Sequence, residues 1–157
     1  MTLETFNMSR TYTPLLSEVL KKVHNAKTKD KKIAILKEND SDSLRMVLKS
    51  SFDPNIEWVF PDGDVPYQKN EAAEGTEHTV LRKEARKLFR FIKGGDNTIP
   101  QFKKENLFIQ MLEGLHESEA QLIIDAKDKK LHQVYKGLSD NVVKEAFGWN
   151  DQYIREN

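Results

Sequence analysis

Apolar residues recur along this chain at spacings of three and four, the period that gathers side chains onto one face of an α-helix. Leu15, Leu16, Val19, Leu20 and Val23 form the first such face. It follows Thr13-Pro14, a cap and then a proline whose missing N–H costs nothing in a first helical turn. A lysine-rich turn, NAKTKDKK, leads to Ile33, Ile35 and Leu36 in a second helix that ends near Asn39. Asp40 or Ser41 caps a third, with Leu44, Val47 and Leu48 facing inward. The period then breaks. Residues 52–76 hold Pro54, Pro61 and Pro66, which forbid a continuous helix, and Phe52, Trp58, Phe60 and Tyr67, too aromatic a set for a disordered linker. An irregular loop pinned to the core by these rings is expected. Helix resumes near Glu77 with Val80, Leu81, Ala85, Leu88, Phe89 and Ile92 on one face, and Gly94-Gly95 stop it. Leu107, Phe108, Met111 and Leu112 mark a further helix that ends near Gly114. Ala120, Ile123 and Ile124 mark another, which Leu131, Val134 and Tyr135 continue or restart before Gly137. Ser139 caps the last, burying Val142, Val143, Ala146 and Phe147 and stopping at Gly148. No strand-like alternation interrupts the series. The pattern predicts an all-α, single compact domain of six to eight helices over residues 13–148, between a loose N-terminal arm (1–12) and a C-terminal tail (149–157).

A chain of 157 residues is long enough to bury one core without covalent staples. No apolar run approaches the length of a membrane span and no signal-peptide pattern opens the sequence, so no membrane partner is expected. Cysteine is absent, which excludes disulfides, thiolate metal sites and a cysteine nucleophile and fits a cytoplasmic setting. The formal net charge of zero argues against indiscriminate binding of polyanions, but the charges are segregated. Residues 21–37 carry seven lysines and one aspartate, residues 38–74 nine acids and three bases, and residues 75–94 six bases and two acids. These blocks either make one basic and one acidic face or pair with one another after folding.

Metal and hydrolytic chemistry find no pattern. His24, His78, His116 and His132 never stand three or four apart, the spacing that places two ligands on one helical face. Asp62-Gly63-Asp64 lacks the ligand spacing of a calcium loop and reads as an acidic turn. Lys93-Gly94-Gly95-Asp96-Asn97 follows a helix rather than preceding one, so it reads as a helix stop and not a phosphate cradle. Glu117 and Glu119 beside His116 fit a helix N-terminus, where carboxylates complement the dipole. A non-enzymatic binding protein without cofactors is expected. Its strongest surface is LRKEARKLFRFIK, where Arg82, Lys83, Arg86, Lys87, Arg90 and Lys93 lie between apolar positions. On an α-helix Arg82, Arg86, Arg90 and Lys93 stack into a ridge able to follow phosphates, or to serve as a solvated face. Trp58 and Trp149 either stack on bases or pack in the core.

Two stretches carry a family resemblance. LLSEVLKKVHNAKTKDKKIAILKENDSDSLRMVLKSSFDP resembles the opening of the N-terminal DNA-binding domain of T4-type ATP-dependent DNA ligases, and KDKKLHQVYKGLSDNVVKEAFGWN resembles its closing segment. FDPNIEW, YKGLSDNVVKEAFG and the KGG after an arginine-rich helix also look like a group of small proteins of T4-like bacteriophages. The ligase adenylation motif, Lys-x-Asp-Gly, is missing: the Asp-Gly of FPDGD has Phe60 at the lysine position. The resemblance therefore implies a ligase-type DNA-binding domain without ligase activity, a phage accessory protein in the cytoplasm of the infected bacterial host. It places Lys129, Lys130, Lys136, Gly137 and Ser139 near a DNA backbone, and the residue pattern adds Lys27, Lys29, Lys31 and Lys32 with the 82–93 bases. The alternative is a protein-interaction module docking on a host or phage replication, repair or transcription protein, with Trp58, Phe60 and Tyr67 as anchors if exposed.

Overall fold

Helix boundaries follow side chains that absorb the orphan N–H groups of each first turn. The computed structural model describes residues 13–70 and 77–155; the expected arm at 1–12, residues 71–76 of the loop and the last two residues lie outside them. Eight α-helices are found among the described residues: α1 (Leu16–Asn25), α2 (Lys29–Glu38), α3 (Asp42–Phe52), α4 (Leu81–Glu84), α5 (Gln101–Gly114), α6 (Glu117–Lys127), α7 (Leu131–Val134) and α8 (Asp140–Phe147). The architecture is all-α, as the periodicity predicts. Thr28, Ser41 and Ser139 accept hydrogen bonds from Lys31, Leu44 and Val142 at the starts of α2, α3 and α8. Gly148 ends α8 at φ +68°, a backbone conformation that glycine adopts without a Cβ penalty.

The start of α1 is placed differently from the expectation at Thr13-Pro14. Leu15 occupies the cap, and the Glu18 carboxylate reaches back to its N–H at 3.1 Å. Glu119 of α6 takes the next donor, Leu16 N–H, at 3.0 Å and accepts Leu81 N–H at 3.0 Å with its other oxygen. One fully buried carboxylate thus caps α1 and α4 together, a longer reach than completing its own helix terminus.

The core runs through α1, α2, α3, α6 and α8, with Leu16, Leu20, Leu36, Leu48 and Leu122 among its buried side chains. α2 lies against α1 and α8, and α3 against α6. The aromatic-proline segment is fixed to this body. Trp58 donates its indole N–H to Ser50 O at 3.1 Å, and Phe60 stacks on Phe108 with centroids 4.8 Å apart. Lys127, buried, donates to Pro61 O at 2.7 Å and Gly63 O at 3.2 Å, while Asp128 accepts from Gly63 N. The acidic turn at 62–64 is held by this lysine–aspartate clamp.

Helix geometry changes after Glu84. Residues Ala85–Phe91 form a 3-10 helix rather than extending the α-helix expected from Glu77. The physical reason is a second period in the same sequence: Ala85, Leu88 and Phe91, three apart, are all buried, and a 3-10 helix eclipses such positions. Phe89, expected on the core face, is 49% exposed instead. At the other end the expected tail folds back. Tyr153 is buried, Trp149 packs beside Phe147 with centroids 5.0 Å apart, and Arg155 donates to Phe147 O.

Candidate nucleic-acid interface

The lysines divide into those facing carbonyls and those facing water. Lys32 lies on the inner side of α2, and its ammonium donates to Val23 O at 2.6 Å and Lys136 O at 3.0 Å. Burial, with the charges of Lys136 and Lys27 nearby, pulls its pKa below the usual range. Lys129, at φ +60°, follows the cap of α6 and spans back to the C-terminus of α3, donating to Ser50 O and Asp53 O at 2.9 Å each. Burial lowers its pKa as well. Both residues are candidates for phosphate contact in the sequence; the structure turns their ammonium groups onto carbonyls at the ends of α1 and α3, where the dipole favours a cation, and that of Lys32 also onto Lys136 O of the α7–α8 turn. No helical spacing rule flags this, because the carbonyls belong to other elements, three of them more than 70 residues away.

Lys32 also builds a joint. It fastens the end of α1 to the α7–α8 turn, and Lys136 N–H donates to His24 Nδ1 at 2.8 Å across the same seam. Gly137, at φ +75°, lies over the Lys32 side chain so closely that a Cβ would sit 2.4 Å from Lys32 Cε. Leu138 is buried beneath the turn, and Ser139 opens α8. Lys27 and Lys136, whose charges act on Lys32, are exposed, as are Lys29, Lys31 and Lys130 on the same two segments, with Lys29 meeting Glu145 at 3.2 Å. Two of the three basic segments are therefore brought together.

The 82–93 segment packs on α3 and α5 instead. Arg82 donates through Nε to Pro14 O at 2.9 Å, Lys87 pairs with Glu84 at 3.2 Å and Lys93 with Glu57 at 3.5 Å. Lys83 and Arg86 are exposed and Arg90 is half-buried. The α-helical ridge of Arg82, Arg86, Arg90 and Lys93 does not form, because at about three residues per turn positions four apart no longer stack. Trp58, Phe60 and Tyr67 are likewise committed to the core, and the Tyr67 hydroxyl is buried without a hydrogen-bond partner among the described residues. Among the described residues the exposed phenylalanine rings are Phe89 and, at 69%, Phe102.

Beside the joint opens a cleft of about 690 Å³, lined by Phe52, Lys129, His132, Ser139, Asp140 and Tyr153 among others. Burial pushes Asp140 up, but hydrogen bonds from Lys144 and Tyr153 outweigh it and hold the carboxyl below its usual range. Burial and that same carboxylate push the Tyr153 phenol up to about 12. Among the described residues no cluster of three or more histidines and acids suits a metal ion, and no helix is long and apolar enough to cross a membrane.

No curated protein and no solved structure matches the chain. Residues 19–133 match a family of unknown function, DUF6433, and the chain belongs to that family.

Proposed function

We propose that this DUF6433 member is a non-enzymatic accessory protein that grips DNA backbone where the α1–α2 and α7–α8 turns meet. One observation carries the reading: the Lys32–Lys136 bond joins segments 104 residues apart, and those two segments expose Lys27, Lys29, Lys31, Lys130 and Lys136. Such a cluster releases counterions on meeting phosphates, which favours binding at low salt with little dependence on base sequence. With zero net charge, attraction comes from local clusters of cations rather than from the molecule as a whole. The ligase-like and phage-like stretches agree with such a role, in the cytoplasm of a bacterial host infected by a T4-like phage. Fluorescence anisotropy with a mixed-sequence duplex tests it. The wild type binds at low salt and weakens as salt rises, and Lys130→Glu with Lys136→Glu removes most of the affinity. Undetectable wild-type binding at low salt overturns the proposal.

A second reading, docking on a nucleic-acid-processing protein, draws on the exposed Phe89 and Phe102. A capture from infected cells that survives nuclease treatment and is lost on Phe102→Ser favours it.

A further inference from the structure

We infer that the cleft beside the joint takes an unpaired nucleobase, making single-stranded or gapped DNA the ligand of the proposed backbone site. The inference rests on that backbone reading and deepens it. The volume of about 690 Å³ falls in the range of small-ligand sites, roughly 300–1,000 Å³. Its walls carry rings: Phe52 and the exposed His132 meet edge to face, centroids 6.5 Å apart and planes at 61°. Its polar groups are mixed in kind. Lys129 spends two bonds on Ser50 O and Asp53 O and has a third proton to give. Ser139 Oγ accepts from Val142 N, which leaves its hydroxyl proton for a ligand. Asp140 adds a carboxylate, accepting from Tyr153 and Lys144.

That combination selects among occupants. A free anion would face the Asp140 carboxylate, and an aliphatic side chain would leave Lys129 and Ser139 unmatched. A neutral, planar heterocycle with both donors and acceptors satisfies the rings and the polar groups together. The cleft shares Gly137 and Ser139 with the turn that carries Lys136, so a strand whose phosphate lies on that lysine has its base beside the opening. Bases stacked inside a duplex do not reach such a cleft; an unpaired base does.

The test compares two strands of equal length at low salt, a mixed-sequence single-stranded oligonucleotide and an abasic deoxyribose-phosphate chain. The base-bearing strand is expected to bind about tenfold tighter, the scale of one base stacked on a protein ring. His132→Ala, at an exposed position and with its melting checked, is expected to erase that preference while leaving abasic binding unchanged. Equal affinity of the wild type for the two strands overturns the inference and leaves the backbone reading intact. A preference that survives His132→Ala places the base elsewhere and also overturns it. Binding of neither strand overturns this inference, and the backbone reading falls with it only if the mixed-sequence duplex also fails to bind in the same low-salt buffer.

Discussion

Two basic segments of this protein look alike in sequence and do different things in the fold. In 27–32 one lysine turns inward to fasten a distant turn, Lys29 pairs with Glu145, and Lys27 and Lys31 stay in water. In 82–93 a 3-10 helix replaces the expected ridge, and three cations are drawn to a carbonyl and two carboxylates. The difference teaches that a count of charges does not make an electrostatic face. What matters is which carbonyls and acids the tertiary fold brings to each cation. Exposed pairs such as Lys93–Glu57 contribute little stability, yet each cancels a charge that a phosphate would otherwise feel.

The contrast breaks most easily where the second segment is anchored. Trp58 ties the aromatic loop to α3 through Ser50 O and forms a β-bridge with Ile92, beside the end of the 3-10 helix. Trp58→Ala is expected to cost about 3 kcal/mol, the lower end for large aromatic deletions because the ring is only partly buried. Urea unfolding measures it. An unchanged midpoint would mean that the segment holds its place without the loop.

The joint of the first segment comes next. Lys32→Met leaves Lys136 O without its donor and Val23 O with Ala26 N–H alone, and is expected to cost about 2 kcal/mol. Gly137→Ala drives a Cβ into the same side chain, so the two losses are expected to sum to clearly more than the double variant loses. Additive losses in a double-mutant cycle would show that the turn and α2 are not coupled through this lysine.

Much of this fold is legible in the sequence, and what escapes has a common cause. The cap residues Thr28, Ser41 and Ser139 and the glycine stop at Gly148 are local signals, and the structure uses each as such. Phe89 is misplaced because the segment carries two periods, and Ala85, Leu88 and Phe91 at spacing three prevail over the α-helical set. Tyr153 in the expected tail is buried against groups that only the fold assembles. Lys32, Lys127, Lys129 and Glu119 are polar residues whose inward roles depend on backbone groups far away in sequence. Of the candidate interface, the exposed lysines are readable in advance; the joint that gathers them is not.

Glu119 sharpens the comparison because it sets where the second segment begins, at Leu81 N–H. Glu119→Gln keeps one acceptor and turns an amide N–H toward the other donor, for an expected loss of about 1–2 kcal/mol. Burial raises the Glu119 pKa above its usual 4.5, against hydrogen bonds from Leu81 and Leu16 and the charge of Arg82, with Glu77 adding to the rise. The folded protein therefore holds this proton to higher pH than the unfolded chain does. Its contribution is fully present below 4.5 and is lost as pH rises through the folded value. The wild-type advantage over Glu119→Gln should thus shrink on going from pH 4 to pH 7, read from urea midpoints at each pH. An advantage that grows with pH would mean that the hydrogen bonds outweigh burial.

Variants with the smallest effect on stability should separate the two segments as DNA surfaces. Each phosphate neutralised contributes a slope of about −0.9 to log affinity against log salt for duplex DNA. If the joint is the contact, Lys130→Glu with Lys136→Glu flattens the slope by roughly two, since both side chains are exposed and neither has an ion-pair partner at the surface among the described residues. Arg86→Glu with Arg90→Glu changes net charge by the same amount but lies on the segment packed against α3 and α5, so its slope should stay near that of the wild type. Equal net charge makes the comparison fair, because any uniform repulsion of DNA acts on both variants alike. Equal flattening by the two pairs would show that both segments touch the backbone despite their separate packing. Flattening by the arginine pair alone would move the interface to the 3-10 helix, where exposed Phe89 would then lie beside the strand.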